Sequence, residues 1–277
     1  MTAAVDAQAA VDEFFDRDAG NWYSLYDRED VFSVIHQRRQ RTALAWIHEL
    51  ALPAGSRVLE VGCGAGLLAV AMARAHLDVV ATDSVGAMVE LAQANATRHG
   101  VRLTLRQVDI HQLDAGSGIY DLVVALGVVP WLHSPDVALA AMSRALRPGG
   151  FMIVNADNKA RLQSWLDPLY APPLAPVRRG VQAVLHRRRR VDAAMPSTIR
   201  HTVAEFDAAL SRVALTRVRG ETFGFGPFTL LGRRVLGEKA SVRMHVLLQA
   251  LADRHLPLLR STGAQYIVLA RKGQVPG

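Results

Sequence analysis

The most constraining stretch of this chain is a glycine-rich turn between an apolar segment and an Ala/Leu-rich segment. Val58–Val61 predicts a short strand that carries Glu60, residues 62–66 are Gly-Cys-Gly-Ala-Gly, and Leu67–His76 predicts a helix. Glycine at 62 and 64 lets the backbone bend and approach a ligand without an intervening Cβ. The following helix start offers free N–H groups to polar ligand atoms. This order is typical of the first βα unit of a nucleotide-binding α/β sheet.

The next apolar runs along the chain support a parallel sheet. Leu77–Asp83 ends in Asp83, whose carboxylate is able to accept hydrogen bonds from both hydroxyls of a ribose. Further apolar runs near 102–107, 120–125 and 150–155 alternate with helical stretches. Because such alternation requires crossover connections, it predicts parallel strands with helices on both faces of the sheet.

Four segments resemble motifs of the class I S-adenosylmethionine (SAM) dependent methyltransferases. Residues 60–66 resemble the first motif, and Gln107–Ile110 resembles the segment that meets the adenine. Tyr120–Ala125 resembles the fourth strand, and residues 146–150 resemble the turn before the fifth. Within the family, the small-molecule (methyltransferase type 11-like) branch is the most similar. The resemblance implies a Rossmann-like, seven-stranded, mostly parallel sheet with helices on both faces.

The expected organisation has four parts. Residues 1–50 are expected to form an N-terminal helical lid and residues 51–157 the SAM-binding core. Residues 158–200, interrupted by prolines, are too long for an ordinary connection and suggest an inserted cap after the fifth strand. Residues 201–277 would complete the sheet, beginning with a helix whose capping box is Thr202–Glu205.

Two final strands are expected near 213–223 and 264–271, one of them antiparallel as in the family. The segment 229–256 between them is expected to be helical.

The resemblance also implies roles for individual residues. Asp83 would bind the ribose of SAM, Asp109 would face the adenine amine, and Glu60 would support the amino-acid end. Gly127, after the fourth strand, would bring backbone close to the methionine portion. The complete set expected to contact SAM, or its product S-adenosylhomocysteine (SAH), is Glu60, Gly62, Cys63, Gly64, Asp83, Ser84, Met88, Asp109, Ile110 and Gly127. Cys63 itself is expected to be a small packing residue and not a nucleophile.

No catalytic group stands out, since positioning of the acceptor supplies much of the rate of such a methyl transfer. A base matters only for a hydroxyl, a protonated amine or a poorly activated carbon. His133 and His36 are the candidates for that role or for positioning the acceptor. A structural turn is the favoured alternative for His133, and a solvated helix face for His36.

The candidates for acceptor contact or for the lid are Trp22, Tyr23, Tyr26, Trp131, Asn155, Tyr170 and Phe225. Ordinary helix packing is the alternative for the first three.

Positive charge is concentrated in one part of the chain. Residues 171–220 hold ten arginines and three acids, an excess equal to the net charge of +7 of the whole protein. The Arg-rich segment 178–190 is expected to be a solvated face, or to contact an anionic membrane or partner. It has almost no interleaved aromatic residues, which argues against nucleic acid.

Composition restricts the cellular location and the metal content to be expected of the protein. The single cysteine excludes an intrachain disulfide and favours a reducing cytoplasm. No apolar run approaches the roughly 20 residues of a membrane span, and the first residues lack the features of a secretory signal. The ten histidines show no ligand-like cluster, so no metal is expected. A monomer or a homodimer is expected.

The sequence therefore predicts a SAM-dependent methyltransferase that methylates O, N or C of a small hydrophobic metabolite, of secondary metabolism or quinone-like. Methylation of a glycan or membrane-lipid precursor is one alternative. A SAM-binding protein without transferase activity is another, and a nicotinamide-dependent oxidoreductase is a third. Asp167–Tyr170 is similar to the D/N-P-P-Y motif of amino-methylating enzymes, but it lies some forty residues too late and has Leu169 in place of the second proline.

Overall fold

A central sheet organises the protein. The computed structural model describes residues 2–171 and 198–274, with the side chains of residues 2–7 and 21–23 left out of the description. The strand order in the sheet is β3-β2-β1-β4-β5-β10-β7, and the short β6 pairs with β5. The strands are β1 (Arg57–Val61), β2 (Asp78–Asp83), β3 (Thr104–Gln107), β4 (Tyr120–Ala125), β5 (Leu146–Asn158), β6 (Arg200–His201), β7 (Leu215–Phe223), β8 (Thr229–Leu230), β9 (Arg233–Arg234) and β10 (Gln265–Lys272).

Strand direction confirms the expected sheet. Strands β1 to β5 pair in parallel, whereas β10 is antiparallel to both of its neighbours, β5 and β7. Strand β5 begins at Leu146, earlier than expected, because Leu146 already pairs with Tyr120 before a register shift in the ladder. The sheet therefore has the seven expected strands and the short eighth strand β6, and it is mostly parallel, with one antiparallel strand near its edge.

Helices cover both faces of the sheet. They are α1 (Thr2–Arg17), α2 (Ala19–Ser24), α3 (Val31–Glu49), α4 (Leu67–Arg74), α5 (Gly86–Arg98), α6 (Pro135–Ala145), α7 (Leu162–Leu166), α8 (Val203–Arg212) and α9 (Glu238–Asp253). Alternate residues of β4 point to opposite faces. Val123 packs in a cluster with α6 and α8, and Leu122 packs in a second cluster with α3 and α4. Among the described residues, no helix has the length and apolarity needed to cross a bilayer.

The expected capping box opens α8. The Oγ1 of Thr202 accepts from the backbone N–H of Glu205 at 3.1 Å, and the carboxylate of Glu205 accepts from the N–H of Thr202 at 2.8 Å. This reciprocal pair satisfies two N–H groups that a helix start otherwise leaves without partners.

The expectation of a continuous helix over 229–256 is wrong in its first part. Strands β8 and β9 form a small hairpin, and the helix α9 begins only at Glu238. Leu231 and Gly232 both have left-handed backbone conformations, with φ of 51° and 76°. Two successive residues at positive φ make a tight hairpin turn and end any helical path there.

Asp167 fastens this hairpin to the rest of the protein. Its side chain is fully buried and accepts hydrogen bonds from the N–H groups of Leu169, Leu231 and Gly232 at 2.9, 2.9 and 3.0 Å. Its other contact is the hydroxyl of Thr229 at 2.6 Å. All four bonds hold backbone or loop groups of this region, so Asp167 belongs to the scaffold and not to an amino-methylating motif.

Candidate functional site

A pocket of about 260 Å³ lies at the carboxyl ends of the parallel strands. Strand β1 has β2 on one side and β4 on the other, so the strand order reverses there. Ligands of open α/β sheets bind at such a switch point. All ten residues expected to contact SAM line this pocket, and Cys63 among them is buried. Burial raises the pKa of the Cys63 thiol, which fits a packing residue and not a nucleophile.

The glycine turn forms one wall of the pocket. Gly62, Gly64 and Gly66 have φ of 66°, 52° and 75°, a region that residues with a Cβ rarely adopt. A Cβ at position 62 would overlap Cγ2 of Val128, whereas a Cβ at position 64 would meet no heavy atom within 4 Å. The backbone thus approaches the loop after β4 closely at Gly62 and leaves open space beside Gly64.

Asp83 is held in a fixed orientation at the end of β2. The N–H of Gly64 donates to Oδ2 at 2.9 Å, and the N–H of Val85 donates to Oδ1 at 3.0 Å. Burial raises the pKa of the Asp83 carboxyl, and these two hydrogen bonds act in the opposite direction. Both oxygens keep further acceptor capacity for a ligand that carries hydroxyl donors.

Glu60 is a buried acid of the pocket with a strongly raised pKa. Its side chain is only 4% exposed, and its Oε2 has no hydrogen-bond partner among the described residues. Burial, together with the charge of Asp83, raises the pKa of Glu60 to about 8. A buried carboxyl oxygen without a partner is expensive to maintain, and a cationic or N–H-bearing ligand would satisfy it.

Asp109 lines the pocket from the loop that follows β3. Its Oδ1 accepts from the ring Nδ1–H of His111 at 2.7 Å and from the backbone N–H of His111 at 2.9 Å. The ring of His111 stacks on that of His133 at 3.7 Å, and Nδ1 of His133 lies 3.3 Å from the side-chain oxygen of Gln8. His133 does not line the pocket itself; it contacts the ring of His111 and the pocket residue Gln8. Sequence reasoning missed His111, although its place two residues after Asp109 permits this local bond.

The position of His36 contradicts the solvated-face alternative. The side chain is buried and lines the pocket, and its ring Nδ1 lies 2.8 Å from the carbonyl oxygen of Phe32. Burial, with a further contribution from the charge of Arg39, lowers the pKa of His36 to about 3. The imidazole is therefore neutral at physiological pH.

Arg39 is a pocket residue that sequence reasoning missed. Its side chain is 7% exposed, its guanidinium packs over Gly127, and it lines the pocket. Its Nε has no hydrogen-bond partner in the part of the chain that the structure describes. The buried residues of α3 include Ile35, Arg39 and Ala43, which are spaced by four. An arginine on the buried stripe of a helix is the signal that could have identified it, since such a charge requires an anionic partner.

The helix α1 covers part of the pocket. Gln8, Val11, Asp12 and Phe15 of α1 line it, and the hydroxyl of Ser84 donates to Asp12 at 2.9 Å. Phe14 and Phe15 pack against the ring of Trp131, with centroid distances of 6.2 and 5.2 Å. Of the aromatic residues expected at the lid, Tyr26 and Trp131 line the pocket. The side chains of Trp22 and Tyr23 lie outside the described residues.

The other residues expected to contact the acceptor do not line the pocket. Asn155 is fully buried behind it and accepts from the N–H of Gly127 at 2.6 Å, which fixes the loop after β4. The Phe225 side chain is fully buried in the protein interior, and Tyr170 is half-exposed beside Gly232 of the hairpin.

Two polar residues that were not expected at the site line the pocket. Asp157 and Gln265 pair across β5 and β10, and both line the pocket. Burial raises the pKa of Asp157, against the opposing charges of Arg200, Arg161 and Arg39. The Oε1 of Gln265 has no hydrogen-bond partner among the described residues. This end of the pocket therefore offers hydrogen-bond acceptors to a ligand.

The fold and the pocket define a Rossmann-like α/β protein that binds a nucleotide-type ligand. A model of the methyltransferase domain family matches residues 58–150. The chain is 31% identical over 168 residues to the ubiquinone biosynthesis O-methyltransferase of Pectobacterium atrosepticum, covering 58% of this chain and 68% of the relative. It is 32% identical over 154 residues to the enzyme of the same name from Bordetella avium, covering 55% of this chain and 62% of that relative.

A solved structure shares the fold over almost the whole chain. The magnesium protoporphyrin IX methyltransferase from Synechocystis, crystallised with SAH, has a TM-score of 0.63 at 17% identity and covers 96% of this chain and 100% of its own. From the sequence relatives and this fold, the chain belongs to the class I SAM-dependent methyltransferases. Its matches span between 61% and 68% of the length of the curated relatives.

Proposed function

We propose that this protein transfers a methyl group from SAM to O, N or C of a small, hydrophobic acceptor. The observation that carries the proposal is that one pocket brings together the charged groups of Asp109, Asp83, Glu60 and Arg39. Bound SAM supplies an electrophilic methyl group on a sulfonium sulfur. Membership of the family and the small-molecule methyltransferases among its relatives support the same reaction.

The pocket residues fit SAM by the chemistry of their donors. The Nε of Arg39 has no hydrogen-bond partner among the described residues, and the guanidinium suits the carboxylate of the methionine portion. The unsatisfied oxygen of Glu60 suits the ammonium group next to that carboxylate. Asp83 suits the ribose hydroxyls, and Asp109, held by His111, suits the adenine amine. Gly64, beside which the structure leaves open space, allows the backbone to approach the ligand closely, whereas Gly62 and Gly127 make room for the side chains of Val128 and Arg39.

The remaining groups act on the acceptor. Helix α1, whose Phe15 packs against Trp131, would exclude water from the pocket as a lid. His36 is neutral and would position the acceptor, because a pKa lowered to about 3 makes its imidazole a weak base. Asp157 also lines the pocket. Gln265 would orient an acceptor that carries a hydrogen-bond donor. His133 would act indirectly, by keeping His111 against Asp109.

The first test is calorimetric titration with SAH. Asp83→Ala is expected to weaken binding tenfold or more, about 1.4 kcal/mol, because both ribose hydroxyls lose their acceptor. Asp78→Asn, at the exposed start of the same strand, is the matched control and should bind like the wild type. A folded wild-type protein that binds a nicotinamide dinucleotide but not SAH would overturn the proposal in favour of an oxidoreductase.

A second titration tests Arg39. Arg39→Gln should weaken SAH by about tenfold or more, yet leave 5′-methylthioadenosine unchanged, because that probe lacks the carboxylate. Arg41→Gln, on the exposed side of α3, is the control. Equal weakening of both ligands would show that Arg39 acts on the shape of the pocket and not on a ligand carboxylate.

Turnover separates the transferase from a non-catalytic SAM-binding protein. The protein is incubated with methyl-labelled SAM and a metabolite extract, and labelled products are identified by mass. SAH binding without any labelled product would favour the binding protein.

Several finer expectations stay predictions. Residues 1–50 as a lid, residues 158–200 as a cap and a cytoplasmic location are among them. The contact of segment 178–190 with an anionic membrane or partner is another, and that segment lies outside the described residues.

A further inference from the structure

An exposed apolar surface lies next to the pocket and is not used by the proposed reaction. We call it the hairpin face, and it consists of Trp165, Leu166, Leu169, Tyr170, Leu230, Leu231 and Val235. Leu231 at the hairpin tip is 64% exposed, and Trp165 is 53% exposed. Large apolar side chains that cluster on a surface mark an interaction site, whereas isolated ones need no explanation.

The hairpin face is one connected structure. Asp167 binds the N–H groups of Leu231 and Gly232, which fastens the hairpin to the end of α7. A Cβ at Gly232 would lie 3.1 Å from Cδ2 of Leu169, so the tip packs directly on the turn that follows α7. Residues from two distant segments of the chain are thus held side by side with their apolar groups toward solvent.

Cationic side chains border the hairpin face. Arg233 lies opposite Leu230 in the hairpin, and Arg233, Arg234 and Lys239 are all exposed. The two acids of the segments 165–171 and 228–239 are both engaged. The side chain of Asp167 is buried and accepts the hydrogen bonds described above. The carboxylate of Glu238 pairs with Arg234 at 3.0 Å and accepts from the N–H of Val31 at 2.7 Å. The exposed charge that these two segments themselves add around the apolar groups is therefore positive.

We propose that the hairpin face docks on an anionic lipid bilayer. Trp and Tyr are the side chains that favour the bilayer interface, where one end of the ring is apolar and the other wet. The leucines at the hairpin tip would enter the acyl boundary, and the flanking arginines would contact anionic headgroups. This combination of apolar tip, interfacial aromatics and flanking cations matches a bilayer better than a flat protein surface.

The hairpin face lies beside one end of the pocket. Glu238, which follows the hairpin, binds Val31 at the start of α3, and the next residue, Phe32, lines the pocket and is partly exposed. A docked bilayer would therefore adjoin the pocket and deliver an acceptor dissolved in lipid. This consequence rests on the proposed function, whereas the docking itself does not.

Vesicle sedimentation tests the docking without any substrate. The whole chain is mixed with phosphatidylcholine vesicles with and without phosphatidylglycerol, at low and high salt. We expect binding to the anionic vesicles at low salt that weakens as salt rises. The double variant Leu230→Thr and Leu231→Asn should lower the partition coefficient by about tenfold or more. Asn tolerates the left-handed backbone at position 231, so the substitution favours the native turn.

The matched control is Val137→Thr. Val137 is 52% exposed on α6, which packs on the opposite face of the sheet from α3 and its Val31 contact to Glu238, so its replacement should leave partitioning unchanged. Arg233→Gln should weaken binding to anionic vesicles only. SAH titration of each variant reports whether the pocket is intact and separates a failure of docking from a failure of the proposed function.

Three results would overturn the docking proposal. One is a wild-type protein that stays in the supernatant with anionic vesicles at low salt. Another is vesicle binding that survives in the double variant but is lost when the arginines of 187–190 are replaced. The third is a wild-type dimer in sedimentation velocity that the double variant abolishes, which would assign the hairpin face to a second copy of this chain.

Discussion

The close approach of the glycine turn to the loop after β4 yields a quantitative prediction. In Gly62→Ala the new methyl group would overlap Cγ2 of Val128 at a residue with φ of 66°. The left-handed conformation costs about 1–2 kcal/mol for a residue with a Cβ, and overpacking adds roughly 1–3 kcal/mol. The free energy of unfolding should therefore fall by about 2–5 kcal/mol in total.

Gly64→Ala separates the two contributions. Position 64 also has a positive φ, of 52°, but its Cβ would meet no heavy atom within 4 Å. This variant should lose only the conformational part, about 1–2 kcal/mol. Urea unfolding measures both, with midpoints compared at an unchanged m-value.

A double-mutant cycle then identifies the contact. Val128→Ala removes the Cγ2 methyl group that the Cβ introduced by Gly62→Ala would meet. The two substitutions together should therefore be less destabilising than the sum of the single ones by about 1–3 kcal/mol. Equal losses for Gly62→Ala and Gly64→Ala would refute the reasoning. Additive behaviour of Gly62→Ala with Val128→Ala would refute it as well.

Two further predictions concern Glu60 and Asp167. Burial raises the pKa of Glu60 from 4.5 to about 8, so the unliganded protein loses stability as pH rises through that window, in which only the unfolded chain ionises. The free energy of unfolding of Glu60→Gln, measured with urea, should therefore rise relative to that of the wild type by up to about 4 kcal/mol between pH 5 and 8. A difference between the two proteins that does not change with pH would contradict the raised pKa of Glu60. Asp167→Ala should speed hydrogen exchange at the N–H groups of Leu231 and Gly232 while SAH affinity stays unchanged; equal protection in both proteins would mean that the hairpin does not depend on Asp167.

The cofactor half of the pocket could be predicted from sequence because local geometry determines it. A strand, a glycine turn and a helix fix where Gly62 and Gly64 lie. In a parallel sheet, the carboxyl ends of β2 and β3 meet the same edge, so Asp83 and Asp109 converge without further information. Each of these residues is a few positions from a recognisable strand end. All ten residues that the sequence predicted to contact SAM line the pocket.

The acceptor half depends on contacts between distant parts of the chain. Asp157 meets Gln265 only because β10 runs antiparallel between β5 and β7, in a register that local pattern does not specify. The hairpin turn at Leu231 was missed because a non-glycine residue at positive φ gives little sequence signal. Phe225, expected at the acceptor, is instead buried in the interior.

Arg39 shows how a buried charge can be interpreted before a structure exists. A guanidinium is too costly to bury without an anion, and no acid lies at a position one turn away on α3 that would pair with it along the helix. Its partner must then come from elsewhere in the fold or from a ligand. The structure leaves its Nε without a partner in the described part of the chain and places Gly127 against the guanidinium, where a Cβ would lie 2.8 Å from it. Since glycine alone leaves that space open, the residue after β4 and the arginine on α3 form one binding feature, which a ligand carboxylate would complete.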